Sequence, residues 1–161
     1  VISSASVAVG NQVDVAGVMS GSGAERAIDC TGSGVIKTTS GPGVPPPVAL
    51  SNTSVGGVAL NSYTPGVLGG FGPNNIGLSI LGWGRVTQRD PSGQYFYIDD
   101  GCQLKDGTTT GGVDNIGVRV VADPSSYSEG SYVAVTGISS LFNSSGLRRQ
   151  ILPMGIQILN P

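Results

Sequence analysis

The residues best placed to carry chemistry are carboxylates at the end of a predicted strand. Asp99 and Asp100 close an alternating segment, and Asp106 follows across a loop that contains glycine. Such a cluster could collect a calcium ion, but carboxylates beside glycine also accept backbone N–H groups of their own turn. The ligand spacing of a calcium-binding EF-hand is missing. We therefore favour turn chemistry and predict no metal site and no cofactor.

The sequence has no histidine, which removes the most common general base and the usual catalytic triads. Glycosidase chemistry needs two carboxylates that face each other, whereas neighbours on a strand, such as Asp99 and Asp100, point to opposite faces. The glycine-rich stretches lack the spacing of a nucleotide-binding loop. We predict no catalytic residue and expect that the chain is not an enzyme.

The composition is poor in charge and rich in turn formers. Charged residues are 11% of the chain, hydrophobic residues are 39%, and the 161 residues include 27 glycines and 10 prolines. Ordinary soluble domains carry about 25% charged residues. This balance is typical of an ordered, turn-rich β protein, and we expect an extracellular or cell-surface location. The net charge of −2 argues against a nucleic-acid partner, and no apolar run is long enough to span a membrane.

Hydrophobic residues alternate with period two, as in strands that have one buried face. The clearest segments are 12–17, 76–89, 94–100, 118–121, 132–138 and 156–159, separated by turns such as Asp90–Gly93. No segment keeps a helical period. The sequence therefore predicts an all-β fold, with one short helical turn within 103–115.

The chain also repeats itself. Gly10–Ser20 aligns with Gly130–Ser140 at a constant offset of 120, and Ala27–Ile28 aligns with Gln150–Ile151. Two strands that precede the shared block in the second copy are missing from the first. Residues 38–84 have no counterpart and no charged residue. We predict an incomplete β-module at 1–38, a Pro/Gly-rich uncharged connecting arm at 39–75 and a complete module at 76–161.

Four segments resemble an OB-fold-like module: 81–87, 95–101, 117–121 and 130–137. Modules of this kind occur in tandem in large secreted or surface proteins of environmental bacteria. The resemblance implies a five-stranded, partly open barrel, a fold that commonly binds oligosaccharides or oligonucleotides. It implies no catalytic residue.

Two cysteines and two sequons suggest covalent features of an extracellular protein. Cys30 and Cys102 are predicted to form one disulfide, with two free buried thiols as the alternative. Asn52 and Asn143 each begin a glycosylation sequon, so attached glycans are expected there unless the sequons arise by chance.

The incomplete first module predicts self-assembly. A barrel that lacks two strands leaves an open edge, and open edges recruit strands from other chains. The predicted partner is the chain itself, in a homopolymer that forms an extracellular filament. The predicted interface residues all lie in the uncharged segment: Val48, Leu50, Val55, Val58, Leu60 and Tyr63. Two alternatives stay open: the arm completes its own first module, or the missing strands were removed by truncation. A secreted carbohydrate-binding module, with bound glycans as partners, is the alternative function, and a nucleic-acid-binding module is a weaker one.

Overall fold

The structure is a computed structural model that describes residues 7–21, 25–31, 35–41 and 43–159. The chain divides into two compact units, Val1–Pro46 and Pro47–Pro161. The strands among the described residues are β1 (Asn11–Ala16), β2 (Val18–Ser20), β3 (Ala27–Asp29), β4 (Val35–Ser40), β5 (Val48–Ala49), β6 (Ser79–Arg89), β7 (Phe96–Asp99), β8 (Lys105–Thr110), β9 (Val113–Ile116), β10 (Val118–Val120), β11 (Tyr132–Asn143) and β12 (Leu147–Ile158). In the same part of the chain, short 3₁₀ helices lie at Asn52–Ser54 and Pro124–Ser126. The all-β prediction is confirmed.

The second unit is built on a closed five-stranded barrel. Its strands follow the order β11-β12-β10-β7-β6, and β11 pairs back onto β6 to close the ring. All neighbours are antiparallel except β10 and β12, which run parallel. Closure gives each barrel strand a hydrogen-bonded neighbour on both sides.

The barrel core follows from the period-two alternation. On β6, Ile80 and Val86 are buried while Trp83 and Arg85 are exposed. The core consists of the following residues, none more than 1% exposed: Val55, Ile80, Val86, Phe96, Ile98, Val118, Val120, Val133, Val135 and Ile151. Each such side chain contributes roughly 1.5–3 kcal/mol on burial.

The segment before the barrel belongs to the barrel unit from Pro47 onward. β5 pairs in parallel with β6, Val55 enters the core, and Leu50 packs against it. The unit boundary between Pro46 and Pro47 therefore divides the segment 39–75, which the sequence assigned to a single connecting arm.

Residues 105–116 form a β-hairpin, so the helical turn expected within 103–115 was wrong. Gly111 and Gly112 both adopt positive φ, at 58° and 81°, between β8 and β9. Two consecutive residues at positive φ are what a tight hairpin turn needs, and glycine adopts them without a steric penalty. The glycine pair therefore sets a tight hairpin turn here in place of a helical one.

Among its described residues, the first unit contains two short ladders, β1 with β4 and β2 with β3. We call these four strands the open hairpin, and β11 with β12 the closed hairpin. Val15 pairs with Ile36 in the open hairpin, as Val135 pairs with Ile156 in the closed one. Val135 lies 120 positions after Val15, and Ile156 lies 120 positions after Ile36.

The correspondence continues past a glycine in each hairpin. Met19 pairs with Ile28, as Ser139 pairs with Ile151. A Cβ atom on Gly17 would lie 2.3 Å from the Asp29 carbonyl oxygen, and one on Gly137 would lie 2.4 Å from that of Leu152. Any other residue would collide with the partner strand at that point. The glycine shared in sequence therefore has the same local role in both hairpins.

Candidate functional site

Three apolar residues of the open hairpin are exposed: Val13, Val18 and Met19. Val18 is 72% and Met19 64% exposed, and Val13 is 38% exposed although its counterpart in the closed hairpin, Val133, is fully buried. Within the described residues, β1 pairs only with β4 and β2 only with β3. The closed hairpin instead uses its outer edge from Tyr132 to Ile138 to pair with β6. The open hairpin thus presents a strand edge whose counterpart in the barrel is occupied.

A shallow cavity of about 340 Å³ lies on the open hairpin itself. Asp14, Val15, Ala16 and Lys37 line it. Asp14 and Lys37 are cross-strand partners and carry opposite charges. The surface around the open edge is therefore mixed, with apolar side chains beside one acid and one base.

The six predicted interface residues separate into two groups. Val55 is fully buried and Leu50 packs against the barrel core, so these two side chains are engaged within their own unit. Val48, Val58, Leu60 and Tyr63 are exposed, Leu60 and Tyr63 by 74% and 76%. We call residues 58–71 the apolar loop; it also exposes two residues that the sequence interpretation did not single out, Leu68 and Phe71.

Arg149 anchors the apolar loop to the barrel. It is only 3% exposed; its Nε donates to the Val55 carbonyl at 3.2 Å and its Nη2 donates to the Gly69 carbonyl at 3.1 Å. Burial lowers the pKa of its guanidinium, because desolvation disfavours the charged form. A buried arginine with backbone carbonyls as acceptors fixes both ends of the segment 55–69.

A buried amide gives a second anchor. Asn75 Oδ1 accepts hydrogen bonds from the Gly56 N–H at 2.8 Å and from the Ser139 hydroxyl at 2.7 Å. Its Nδ2 donates to the Ser54 carbonyl at 2.7 Å. The apolar loop is therefore held at its base, and its exposed side chains are carried on a fixed backbone.

The predicted disulfide is not present: both cysteines are free thiols. The Cys30 thiol donates to the Ala16 carbonyl at 3.5 Å, and the Cys102 thiol donates to Asp99 Oδ1 at 3.5 Å. Desolvation and the nearby Asp100 carboxylate raise the pKa of Cys102 to about 12. A thiol with that pKa stays protonated at neutral pH, which makes it a poor partner for disulfide exchange.

The two sequons lie in different environments. Asn52 is fully buried, and its Nδ2 donates to the Ile98 carbonyl at 2.7 Å. A glycan on that nitrogen would break this bond and has no room, so the glycosylation predicted at Asn52 conflicts with the fold. Asn143 is exposed at the end of β11 and stays a predicted acceptor.

The acidic residues act in turns, as the sequence favoured. Asp99 Oδ1 accepts the Gln103 N–H at 3.0 Å, and Asp100 accepts the N–H groups of Asn52 and Cys102 at 2.8 and 3.2 Å. Partial burial acts to raise the pKa of Asp100, but these N–H groups outweigh it and hold the pKa below its usual value. Ligand atoms of Asp99, Asp100 and Cys102 lie within 4.8 Å of one another, and each of the four carboxylate oxygens already accepts a hydrogen bond. Asp106 is separately engaged: its Oδ2 accepts the Tyr97 hydroxyl at 2.7 Å.

Nucleic-acid binding would need aromatic side chains on which bases can stack, but the aromatic residues at the start of β7 are used internally. Phe96 and Tyr97 are buried, and the Arg119 guanidinium lies 4.0 Å from the Tyr95 ring centre and 4.5 Å from that of Phe142. An arginine held between two rings is engaged in cation–π contacts. This face of the barrel is therefore packed rather than open.

Comparison with protein-family models, with curated proteins and with solved structures finds no match for this chain. Among the described residues, no helix is both long and apolar enough to cross a membrane. The function has to be argued from the surfaces described above.

Proposed function

We propose that the chain is a non-enzymatic structural subunit of an extracellular filament or surface fibre, assembled head to tail by β-strand complementation. One observation carries the proposal: the open hairpin has the register of the closed hairpin but not its covering strand. Val13 to Val18 correspond to the part of β11 that pairs with β6. An edge of this kind can pair with a strand of another chain.

The same correspondence supports the modular interpretation. The barrel has five strands in a closed ring with one parallel pair, which fits an OB-like module. The first unit would then be an incomplete second copy, reduced to the equivalent of the closed hairpin. Its missing strands are the ones that would pair along Val13 to Val18, as β6 pairs along Val133 to Ile138.

The proposed complement is the apolar loop of a neighbouring copy. It offers Val58, Leu60 and Tyr63 on a segment that has no charge, next to Leu68 and Phe71. The open hairpin and the apolar loop are different surfaces, so the contact is heterologous. Contacts of this type propagate into an open filament unless the rotation between subunits closes a ring.

The energetics require many contacts at once. Complete burial of an apolar side chain contributes roughly 1.5–3 kcal/mol, whereas association itself costs on the order of 4–15 kcal/mol. Three exposed residues of the open hairpin and three to five of the loop, together with main-chain hydrogen bonds, are enough for a stable contact. A single contact residue is not. Low surface charge reduces electrostatic repulsion between stacked subunits.

Intermolecular cross-linking tests the contact. We would mix one variant carrying Val18→Cys with a second carrying Leu60→Cys, oxidise the mixture and analyse it by non-reducing electrophoresis. The native thiols interfere little, since Cys30 is buried and the pKa of Cys102 is raised. Mixed dimers should form rapidly.

The control pair replaces Leu60→Cys with Val113→Cys, a 59% exposed valine on the β8–β9 hairpin. It should give only background cross-linking. Equal cross-linking in both mixtures would remove the proposed contact.

A further inference from the structure

A groove of about 430 Å³ opens on the outer face of the barrel, away from its core. Such a volume lies within the roughly 300–1,000 Å³ range of small-ligand sites. The side chains that give the groove its chemistry are two aromatics, one base, two acids and one amide: Trp83, Tyr132, Arg85, Asp99, Asp100 and Gln103.

Strand register brings these groups together. Arg85 on β6 lies opposite Tyr132 of β11 on one side and opposite Asp99 of β7 on the other. Trp83 stands two residues before Arg85, on the same outward face, and is 40% exposed. The groove therefore has a row of polar groups across three strands, with an aromatic ring beside it.

Gln103 is held in an unusual conformation within the groove. Its φ is 56°, in the left-handed region that non-glycine residues seldom adopt. Its backbone N–H donates to Asp99 Oδ1 at 3.0 Å and its Nε2 donates to Asp99 Oδ2 at 2.8 Å. Asp99 is only 5% exposed, so a buried carboxylate fixes the amide in place. Strained backbone held by its surroundings is a common feature of binding sites.

This combination fits a polyol. An aromatic face can stack on the apolar C–H face of a sugar ring, while the Arg85 guanidinium donates and the Asp100 carboxylate accepts hydrogen bonds from hydroxyl groups. The Gln103 amide oxygen accepts no hydrogen bond from the described part of the chain and can serve as a further acceptor. Donors and acceptors placed around one exposed indole suit a ligand whose hydroxyl groups both donate and accept hydrogen bonds.

Two other ligand classes fit less well. A phosphate backbone would meet two acids and one base here, on a chain with a net charge of −2. A divalent cation would compete with the N–H groups of Gln103, Asn52 and Cys102 for the carboxylate oxygens, whereas a sugar hydroxyl group can donate to the second lone pair of an Asp100 oxygen and leave those N–H groups in place.

We infer that this groove binds a neutral saccharide, with one sugar ring on Trp83 and its hydroxyl groups on Arg85, Asp100 and Gln103. Such a site would let a surface fibre attach to cell-wall or matrix polysaccharide. It lies wholly within the second unit and uses no residue of the open hairpin or the apolar loop. The saccharide site therefore does not depend on the proposed assembly.

The test begins with fluorescence, since Trp83 is the sole tryptophan of the chain. Gluco-, manno- and N-acetylglucosamine hexaoses are titrated against the intact protein, with an oligothymidylate and CaCl₂ in parallel. At least one saccharide should shift or quench the emission in a saturable way. Response to none of the saccharides, or to the oligothymidylate or CaCl₂ alone, would overturn the inference.

Saccharide affinities of variants, measured by calorimetry, test whether the groove is the binding site. Trp83→Ala should lower saccharide affinity about tenfold or more, while Tyr63→Ala, an exposed aromatic outside the groove, should not. Gln103→Gly should weaken binding by removing the amide; glycine adopts the positive φ readily, which offsets part of the stability lost with the hydrogen bond from Gln103 Nε2 to Asp99. Val18→Asp should bind with unchanged affinity, which separates this inference from assembly. Wild-type affinity in Trp83→Ala would place the ligand elsewhere and refute the groove.

Discussion

The open and closed hairpins have the same register and opposite environments. Ile151 of the closed hairpin is fully buried, and its counterpart Ile28 in the open hairpin is only half-buried. Local features set the register in both: alternating valines and a glycine that lets the partner carbonyl approach. Burial, in contrast, is set by the strands that flank a hairpin. The comparison shows how one sequence pattern gives a core in one place and an exposed edge in another.

The largest expected effect is a difference in unfolding free energy between matched substitutions in the two hairpins. Ile151→Ala should destabilise the barrel by about 2–5 kcal/mol, because it removes packed atoms and leaves a cavity. The matched variant Ile28→Ala should leave the barrel transition unchanged. Urea unfolding followed by Trp83 emission reports on the barrel unit. An equal loss in both variants would mean that the open hairpin is as well packed as the closed one.

A smaller effect is expected where the barrel holds its apolar loop. Arg149→Ala should cost about 1.5–3 kcal/mol, since the Val55 and Gly69 carbonyls lose a charged donor. Limited proteolysis should then cut faster within residues 58–71. Arg148→Ala is the control: that side chain is half-buried and donates to the Ser144 carbonyl, outside the segment 55–69. Equal proteolysis of the two variants would show that Arg149 does not hold the loop.

A charge at the open edge should weaken assembly while leaving the fold intact. Val18→Asp should raise the concentration needed for assembly about tenfold, which corresponds to the loss of one partly buried apolar contact and burial of a charge. Val113→Asp makes the same change at another exposed valine and should assemble like the wild type. Light scattering over a dilution series measures both. Unchanged assembly of Val18→Asp would remove the open hairpin from the contact.

The smallest effect concerns acid stability. Asp100 has a folded-state pKa below its unfolded value, so its contribution to stability is present at neutral pH and is lost as the pH falls below about 4 toward the folded pKa. Asp100→Asn should therefore lose less stability than the wild type between neutral pH and that acid range. Tm measured at a series of pH values tests this. A steeper acid loss in the variant would contradict the sign of the pKa shift.

Much of the fold could be predicted from the sequence because its signals are local. Alternation located β6, β7 and β11, and the repeated glycine located the shared hairpin. The remaining features depend on neighbours across strands. Burial of Asn52 depends on the Ile98 carbonyl, and burial of Val55 depends on a core assembled from other strands.

The groove also escaped the sequence interpretation. Trp83 and Tyr132 are far apart in the chain and meet only through the β6–β11 register. The one local signal was the outward alternation of Trp83 and Arg85 on β6, with glycine at the two adjacent inward positions. Such a pattern shows an exposed tryptophan but not what stands beside it.

Electron microscopy of the purified chain over a range of concentrations tests the central claim most directly. Strand complementation through the open hairpin predicts unbranched filaments, in which density from a neighbouring subunit continues the sheet beside Val13 to Val18. Single particles at every concentration, or filaments in which that edge faces solvent, would contradict it.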